Sequence, residues 1–572
     1  MSLDGADQAN GAQFAGTGVG EGCGLWLSIS ATNDTSVLLT LHNTRTGQSY
    51  TVWSSEDISI TLTNWSVETN LTGASGDFTE TIIAMGQRSN LFLRASENRD
   101  YVTNSVFQGL GYTNTRAVVA DTMGAVGPNH FVELLNGVTT NAAIAVYDKS
   151  GMLISQASMS NFFAVAVAGT NYPTEAMSDP RILYDHQSQH WVASAIQQSL
   201  GIVILAVSND DSPTNLASGW VKYVFQVRTN ASDPPVDYDT LGMDANGIYF
   251  SVLRTPLGTN VWHSVVAIKK PEIYQGTNLS TQLNLTNASW TIQPAVNFDA
   301  VPTNGYAWFV AKGPPDAGTN YQGGAVLYRR LQWQGTNAAW ADTNWIELSN
   351  SGPTYQDYYE PSGTNFSSYP TAGVSAPQLG TTNGINLYGV GSRLMMATIR
   401  NGFVWTCHTV GLSGTNGTYI GDSSGTNVDR SAVQWFKLEI SPDSTTLTLS
   451  DYGRVFDPAE TNAWWYYFPS LAVNCAGDMV VGFSGSSPTN YIGAMYTWRL
   501  ADGSMLGQPR LIQSGTITST ALRLGDYSAT TLDPTDDWSF WTVQEYATPF
   551  QGPHGSVLGQ WGTVVAKIRP NP

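Results

Sequence analysis

A chain of 572 residues that is 42% hydrophobic can bury a large core, yet only 12% of it is charged, against about 25% in ordinary globular domains. Its polar surface must therefore be built from Asn, Thr, Ser, Gln and Gly, which suits an extracellular β-protein better than a cytosolic enzyme. A net charge of −19 excludes nucleic acid and anionic membrane surfaces as partners, and no apolar run approaches the roughly 18 residues of a membrane helix, which excludes membrane insertion.

Residues 1–23 read as a disordered or tag-like segment without the apolar region of a signal peptide, so the expectation is a bacterial export product, secreted or at the cell surface. Residues 24–98 alternate in the manner of strands and form no part of the repeat that follows. They predict a small β-sandwich of the fibronectin or immunoglobulin type. From about residue 101 a repeat emerges once eight Gly-Thr-Asn tripeptides, spread between Gly169 and Asn427, are discounted as loop filler. Each copy is an acidic or aromatic residue, a short apolar strand, a turn with Asp, Asn or Gly, and a second apolar strand.

Seven copies begin at Arg116, Asp179, Asp237, Phe298, Ser392, Phe468 and Asp526. A third strand follows each hairpin and a fourth usually follows that, as in "WVKYVFQV" at Trp220. The expectation is an all-β chain: a seven-bladed β-propeller of four-stranded antiparallel blades over 101–572, preceded by the sandwich. The chain stops just after the third strand of the last copy, so "YVTNSVFQGL" at Tyr101–Leu110 is expected to supply the missing fourth strand and close the ring. A Tyr-, Ser- and Gly-rich insertion occupies 350–392. Cys23, Cys407 and Cys475 show neither metal spacing nor a disulfide framework, and the last two read as buried thiols.

In a propeller the first strand of each blade lines the central channel, and the start of strand one shares a face with the end of strand two. That geometry gathers Arg116, Asp179, Arg181, Asp237, Asp239, Arg254, Asp299, Lys312, Arg393, His408, Tyr467, Arg523, Asp526, Glu545 and Tyr546 at one mouth of the channel. A structural reading stands beside the functional one: Asp before a strand caps turns, Arg beside it pairs with it, and a histidine in "VWTCHTVG" suits a hydrogen-bonded core position.

"GDSSG" at Gly421–Gly425 lacks the strand-to-helix turn of a serine nucleophile. No cofactor motif is present; the acidic turns Asp533–Trp538 and Ser208–Asn215 carry oxygen ligands for Ca²⁺ but no EF-hand spacing, so solvated turns are the preferred reading. The Asp-box of sialidase blades is missing.

The stretches "VGPNHFVELLNG", "DPRILYDHQSQHWVAS", "NGFVWTCHTVG", "YYFPSLAVNCAGDMVVGFSGSS" and "RLGDYSATTLDPTDDWSFWTVQEYA" together resemble a group of secreted bacterial seven-bladed β-propeller proteins that carry an N-terminal β-sandwich. The resemblance spans roughly residues 101–570. It implies an exported propeller with a sandwich attached and brings no reaction or catalytic residues with it.

Two functions follow. One is glycan binding at the channel mouth, with cleavage as its extension. A hydrolase would draw two carboxylates from Asp179, Asp239, Asp299, Asp526 and Glu545; a polysaccharide lyase would use His408 or Tyr546 as base, with Arg181, Arg393 or Arg523 neutralising a substrate carboxylate. Arg116, Arg254 and Tyr467 complete the expected substrate-binding set. The alternative is a non-catalytic surface module for adhesion, assembly or binding another surface protein. The rim discriminates: a scaffold tolerates acids that are all paired, whereas an enzyme leaves carboxylates free and facing a cavity.

Overall fold

The computed structural model describes most of the chain between residues 26 and 570; the longer segments outside it are 1–12, 15–25, 60–63, 229–234, 255–261, 288–290, 300–304, 313–325, 349–374, 388–392, 420–427, 504–507 and 553–555, with single positions and pairs besides. Most of the insertion expected at 350–392, the Gly421–Gly425 motif and most of 1–23 thus lie outside the described residues.

The N-terminal strands form two sheets. Trp26–Asn33, Ser36–His42 and Phe78–Ala84 pair in one, and Ser49–Ser55 pairs with Ser66–Thr72 and Phe92–Glu97 in the other. Alternation puts Val37, Leu39 and Leu41 of one sheet against Tyr50 and Val52 of the other, in a single shared core.

The rest is a β-propeller of four-stranded antiparallel units. Such units follow one another among the described residues, two of them joined through Val296–Asn297 into one ten-stranded sheet and one carrying a fifth strand. Their innermost strands are Met123–Val126, Ser178–Asp185, Val236–Met243, Ile292–Pro294, Met396–Arg400, Trp465–Val473 and Ala529–Leu532, here numbered units one to seven. Each packs against the innermost strand of the next unit, and that of unit seven packs against that of unit one, so the circle closes. The strand Tyr101–Gly111 pairs with Val557–Pro570 as the outermost strand of unit seven, as its sequence position led us to expect. Strands this buried read as near-continuous apolar runs because both sheet faces meet a neighbouring unit. Ile202–Ser208, for example, is buried at every position.

Unit four departs from the repeat as read from the sequence. Its innermost strand is Ile292–Pro294, continued by Val296–Asn297, so Phe298 and Asp299 follow that strand where they were expected to begin it. Cys407 is a buried free thiol as expected, but Cys475 is disulfide-bonded, which corrects its reading as a thiol.

Candidate functional site

The innermost strands of units two, three and six open with the same irregularity. Asp179, Tyr238 and Phe468 adopt positive φ (53°, 46° and 54°), and the pairing register slips there. A residue inserted in the left-handed region at a bulge bends the strand and re-aims its side chain. Asp121, with φ of 47°, takes the same place two residues before unit one. These residues occupy the end of the channel where the innermost strands begin, called here the start face.

There the acids form a relay across four units. Asp526 N–H donates to Asp121 Oδ1 (3.0 Å), and Asn136 Nδ2 donates to Asp121 Oδ2 (2.5 Å). Asn136 Oδ1 accepts from Asp179 N–H (3.0 Å), and Asp179 Oδ2 accepts from Tyr238 N–H (2.9 Å). Burial raises both acids; the charge of Asp526 adds to Asp121, which reaches about 7, and Asp121 itself adds to Asp179. Two buried carboxylates in contact hold a proton between them at neutral pH. Arg523 pairs with Asp526, and its side chain is 41% exposed, so this ion pair faces solvent.

Beneath the relay lies Arg181. Its Nε donates to the Asp239 carbonyl (2.7 Å), while Nε to Asp239 Oδ1 is 3.8 Å, an ion pair without a hydrogen bond. Its guanidinium lies 3.7 Å from the centroid of the Tyr527 ring, and Tyr238 and Arg393 stack beyond. Ser194 Oγ donates to Asp239 Oδ2 (2.7 Å). Burial outweighs the pull of Arg181 and pushes Asp239 up to about 7. Arg181 closes one end of an apolar channel cavity of about 90 Å³.

Glu545, on the second strand of unit seven, accepts from Thr122 Oγ1 (2.6 Å) and is pushed up to about 8 by burial, with Asp121 and Asp526 adding to it. Glu133 is a second such acid. Leu110 N–H and Thr563 Oγ1 donate to it, and burial raises it to about 7. Neither glutamate, nor Asp239, lines the channel cavity; these acids sit between units.

The structure thus brings Asp179, Arg181, Asp239, Arg393, Arg523, Asp526 and Glu545 together and sends other candidates elsewhere. Asp299 is on the opposite face, where its carboxylate accepts from Asn401 and Gly402 N–H (2.8 and 2.7 Å), because the strand it was expected to start lies before it. Tyr546 points away from Glu545, as consecutive strand residues must, and its hydroxyl donates to Gln108 Oε1 on the outermost strand. Tyr467 is fully buried and donates to Ser486 Oγ (2.9 Å). His408 is buried beside Phe436, with its Nε2 3.1 Å from Gln434 Nε2, the hydrogen-bonded core position weighed from its sequence. Arg116 lies over the rings of Phe550 and Tyr112 at the periphery, and Arg254 ends the second strand of unit three, outward of the channel. The side chain of Lys312 lies outside the described residues.

Sequence reasoning passed over Asp121, Thr122, Asn136 and Tyr238. The signal for the first was present: Asp121 precedes its apolar strand by two residues, as Asp179 precedes Arg181. Beginning the first copy at Arg116 concealed it. Among the described residues no group of three or more His, Cys, Asp or Glu is placed to hold a metal ion. At the acidic turn, Asp533 is spent on Lys149 and Lys567, 2.7 and 3.2 Å away.

No family model matches the chain, and no curated protein matches it. Among solved structures it is similar to a sialidase of Trypanosoma rangeli (10% identity, TM-score 0.31), covering 73% of this chain and 57% of the sialidase. It is similar to an α-L-arabinanase of Penicillium chrysogenum (12%, 0.34), covering 70% and 99% of the two chains. A protein of unknown function from Dyadobacter fermentans (9%, 0.33) shares 69% and 95%. These likenesses are too distant to bear on activity.

Proposed function

We propose that the chain is an exported, seven-bladed propeller over 101–572, with a sandwich domain over 24–98, that binds glycans at its start face. The carrying observation is the convergence of Asp121, Asp179 and Asp526 with Arg181, Arg393 and Arg523, interleaved with Tyr238 and Tyr527, in a chain otherwise poor in charge. Adjacent donors, acceptors and ring faces suit a polyhydroxylated ligand, and the abundance of acid disfavours phosphate. The disulfide at Cys475 supports an oxidising compartment.

Recognition is favoured over cleavage because Asp239, Glu545 and Glu133 are buried between units and line neither the channel cavity of about 90 Å³ nor that of about 360 Å³ at its other end. One observation keeps cleavage as a second reading: the Asp121–Asp179 pair retains a proton beside the Asp526–Arg523 pair at the surface, the acid-and-carboxylate combination that hydrolysis needs.

The test is affinity electrophoresis and product analysis on a panel of neutral and uronic-acid polysaccharides, with and without Ca²⁺. Retardation by at least one glycan, weakened about tenfold in Arg523→Ala or Asp526→Ala, is expected for loss of a charged contact. New reducing ends lost in Asp121→Asn would add hydrolysis, and unsaturated products would instead add a lyase. Absence of retardation across the panel would overturn the reading and leave an adhesion or protein-binding module.

A further inference from the structure

The other end of the channel is wider. A cavity of about 360 Å³ opens on the face where the innermost strands turn into the second strands, within the roughly 300–1,000 Å³ of small-ligand sites. Its polar and aromatic lining is Tyr184, His186, Gln189, Phe298, Arg400, Thr531 and Asp537, and the rest of its wall is apolar. The His186 and Phe298 rings stack, with centroids 4.7 Å apart and planes 14° apart. Arg400 is only 8% exposed. One of its terminal nitrogens donates to Asp537 Oδ2, whereas its Nε–H is buried and has no hydrogen-bond partner. A buried guanidinium N–H without an acceptor is costly, so a group that supplies one is strongly favoured.

We propose that this turn-face cavity is a second binding site, for a neutral mono- or disaccharide. Charge selects the class. Arg400 and Asp537 cancel each other, Lys270 and Asp185 do the same behind His186 (2.7 Å), and the Asp299 carboxylate is spent on Asn401 and Gly402 N–H. The other groups facing Asp537 are acidic: Asp536 and Asp299 both oppose its ionisation. An anion therefore meets more acid than base, and a cation meets Arg400. A sugar hydroxyl both donates and accepts, which an adjacent Arg–Asp pair matches, and the Arg400 Nε–H gives it one directed donor. The Phe298 and His186 rings offer an apolar surface to the C–H face of a pyranose. The site shares no residue with the start-face relay, and the proposal stands whether or not that face binds glycan.

Saturation-transfer NMR on the full chain, with glucose, galactose, mannose, xylose, arabinose, lactose and cellobiose as probes and galacturonate as the charged control, tests this. Transfer to at least one neutral sugar is expected. Arg400→Lys, which keeps the charge opposite Asp537 but removes Nε–H, and Phe298→Leu, which removes the ring, should each weaken it about tenfold, the scale of one lost charge-assisted contact. The turn-face variants are compared in the Asp526→Ala background, which weakens the start face, and Lys222→Ala on the outermost strand of unit two, remote from both faces, should leave transfer unchanged. Melting curves establish that each variant folds, and Phe298→Leu decides alone if Arg400→Lys does not. Transfer to no sugar, transfer to galacturonate alone, survival of transfer in the folded turn-face variants made in the Asp526→Ala background, or its loss in Lys222→Ala would overturn the proposal.

Discussion

Glu545 spends one oxygen on the Thr122 hydroxyl, and its other oxygen is buried without a partner. Leaving a charged oxygen so placed would cost more than the roughly 1–3 kcal/mol of a neutral unsatisfied group, and the carboxyl avoids this by staying protonated. Its neighbour on the preceding segment is Gly525 for a steric reason: a Cβ there would stand 2.4 Å from Glu545 Oε1 and 2.9 Å from Oε2. The glutamate is fixed on a strand and cannot retreat cheaply. Gly525→Ala is therefore expected to destabilise the fold by about 1–3 kcal/mol, read as a lower Tm in thermal melts; an unchanged Tm would mean that the segment yields instead. At this scale the sequence was only partly legible. It displayed Glu545 and Tyr546 side by side at a strand end, and strand alternation alone implies that only one of them can face the relay. Which one depends on the register with Thr122, a residue more than 400 positions away.

The strand Tyr101–Gly111 does for the propeller what no other segment can. It pairs with Gly562–Pro570 of the third strand, and Glu133 of unit one grips it by accepting from Leu110 N–H (2.8 Å) while also accepting from Thr563. Without that strand, unit seven presents an unpaired edge to solvent, a template for association. Deletion of residues 1–98 is expected to leave a monomeric propeller with one cooperative melt. Deletion of 1–111 should give aggregation or loss of the cooperative transition, checked by size exclusion and calorimetry. Equal behaviour of the two deletions would show that ring closure does not rest on this strand. This element was readable in the sequence because a four-strand repeat ending one strand short demands a donor. The first strand of unit four was not, because Ile292–Pro294 is short and a better apolar run, Tyr306–Lys312, follows it.

Across the whole molecule, buried acids set the response to pH. Burial raises Asp121, Glu133 and Asp239 to about 7 and Glu545 to about 8, while the same groups release their protons near 3.8 or 4.5 when unfolded. Between those limits the folded state binds more protons, so stability falls as pH rises, by up to about 1.4 kcal/mol per pH unit for each group. Asp533 works in the opposite sense: burial opposes its charge, but Lys149, Thr535 and Trp541 hold it at about 2, so its contribution is lost only as pH falls through that value. Tm should therefore decline between pH 5 and 8, with a shallower slope in Glu545→Gln and Asp239→Asn. A Tm that is flat or rising over this range would contradict protonated acids in the core.

Composition, strand patterning and the missing fourth strand were enough to determine an all-β propeller and its circular closure. These features are local or periodic, and a repeat writes them many times. Which acids meet was decided only in the tertiary structure. The contacts of Asp121 with Asp526, of Thr122 with Glu545 and of Arg400 with Asp537 cross between units distant in sequence, and a one-residue bulge is enough to turn a side chain from the channel to a neighbouring unit.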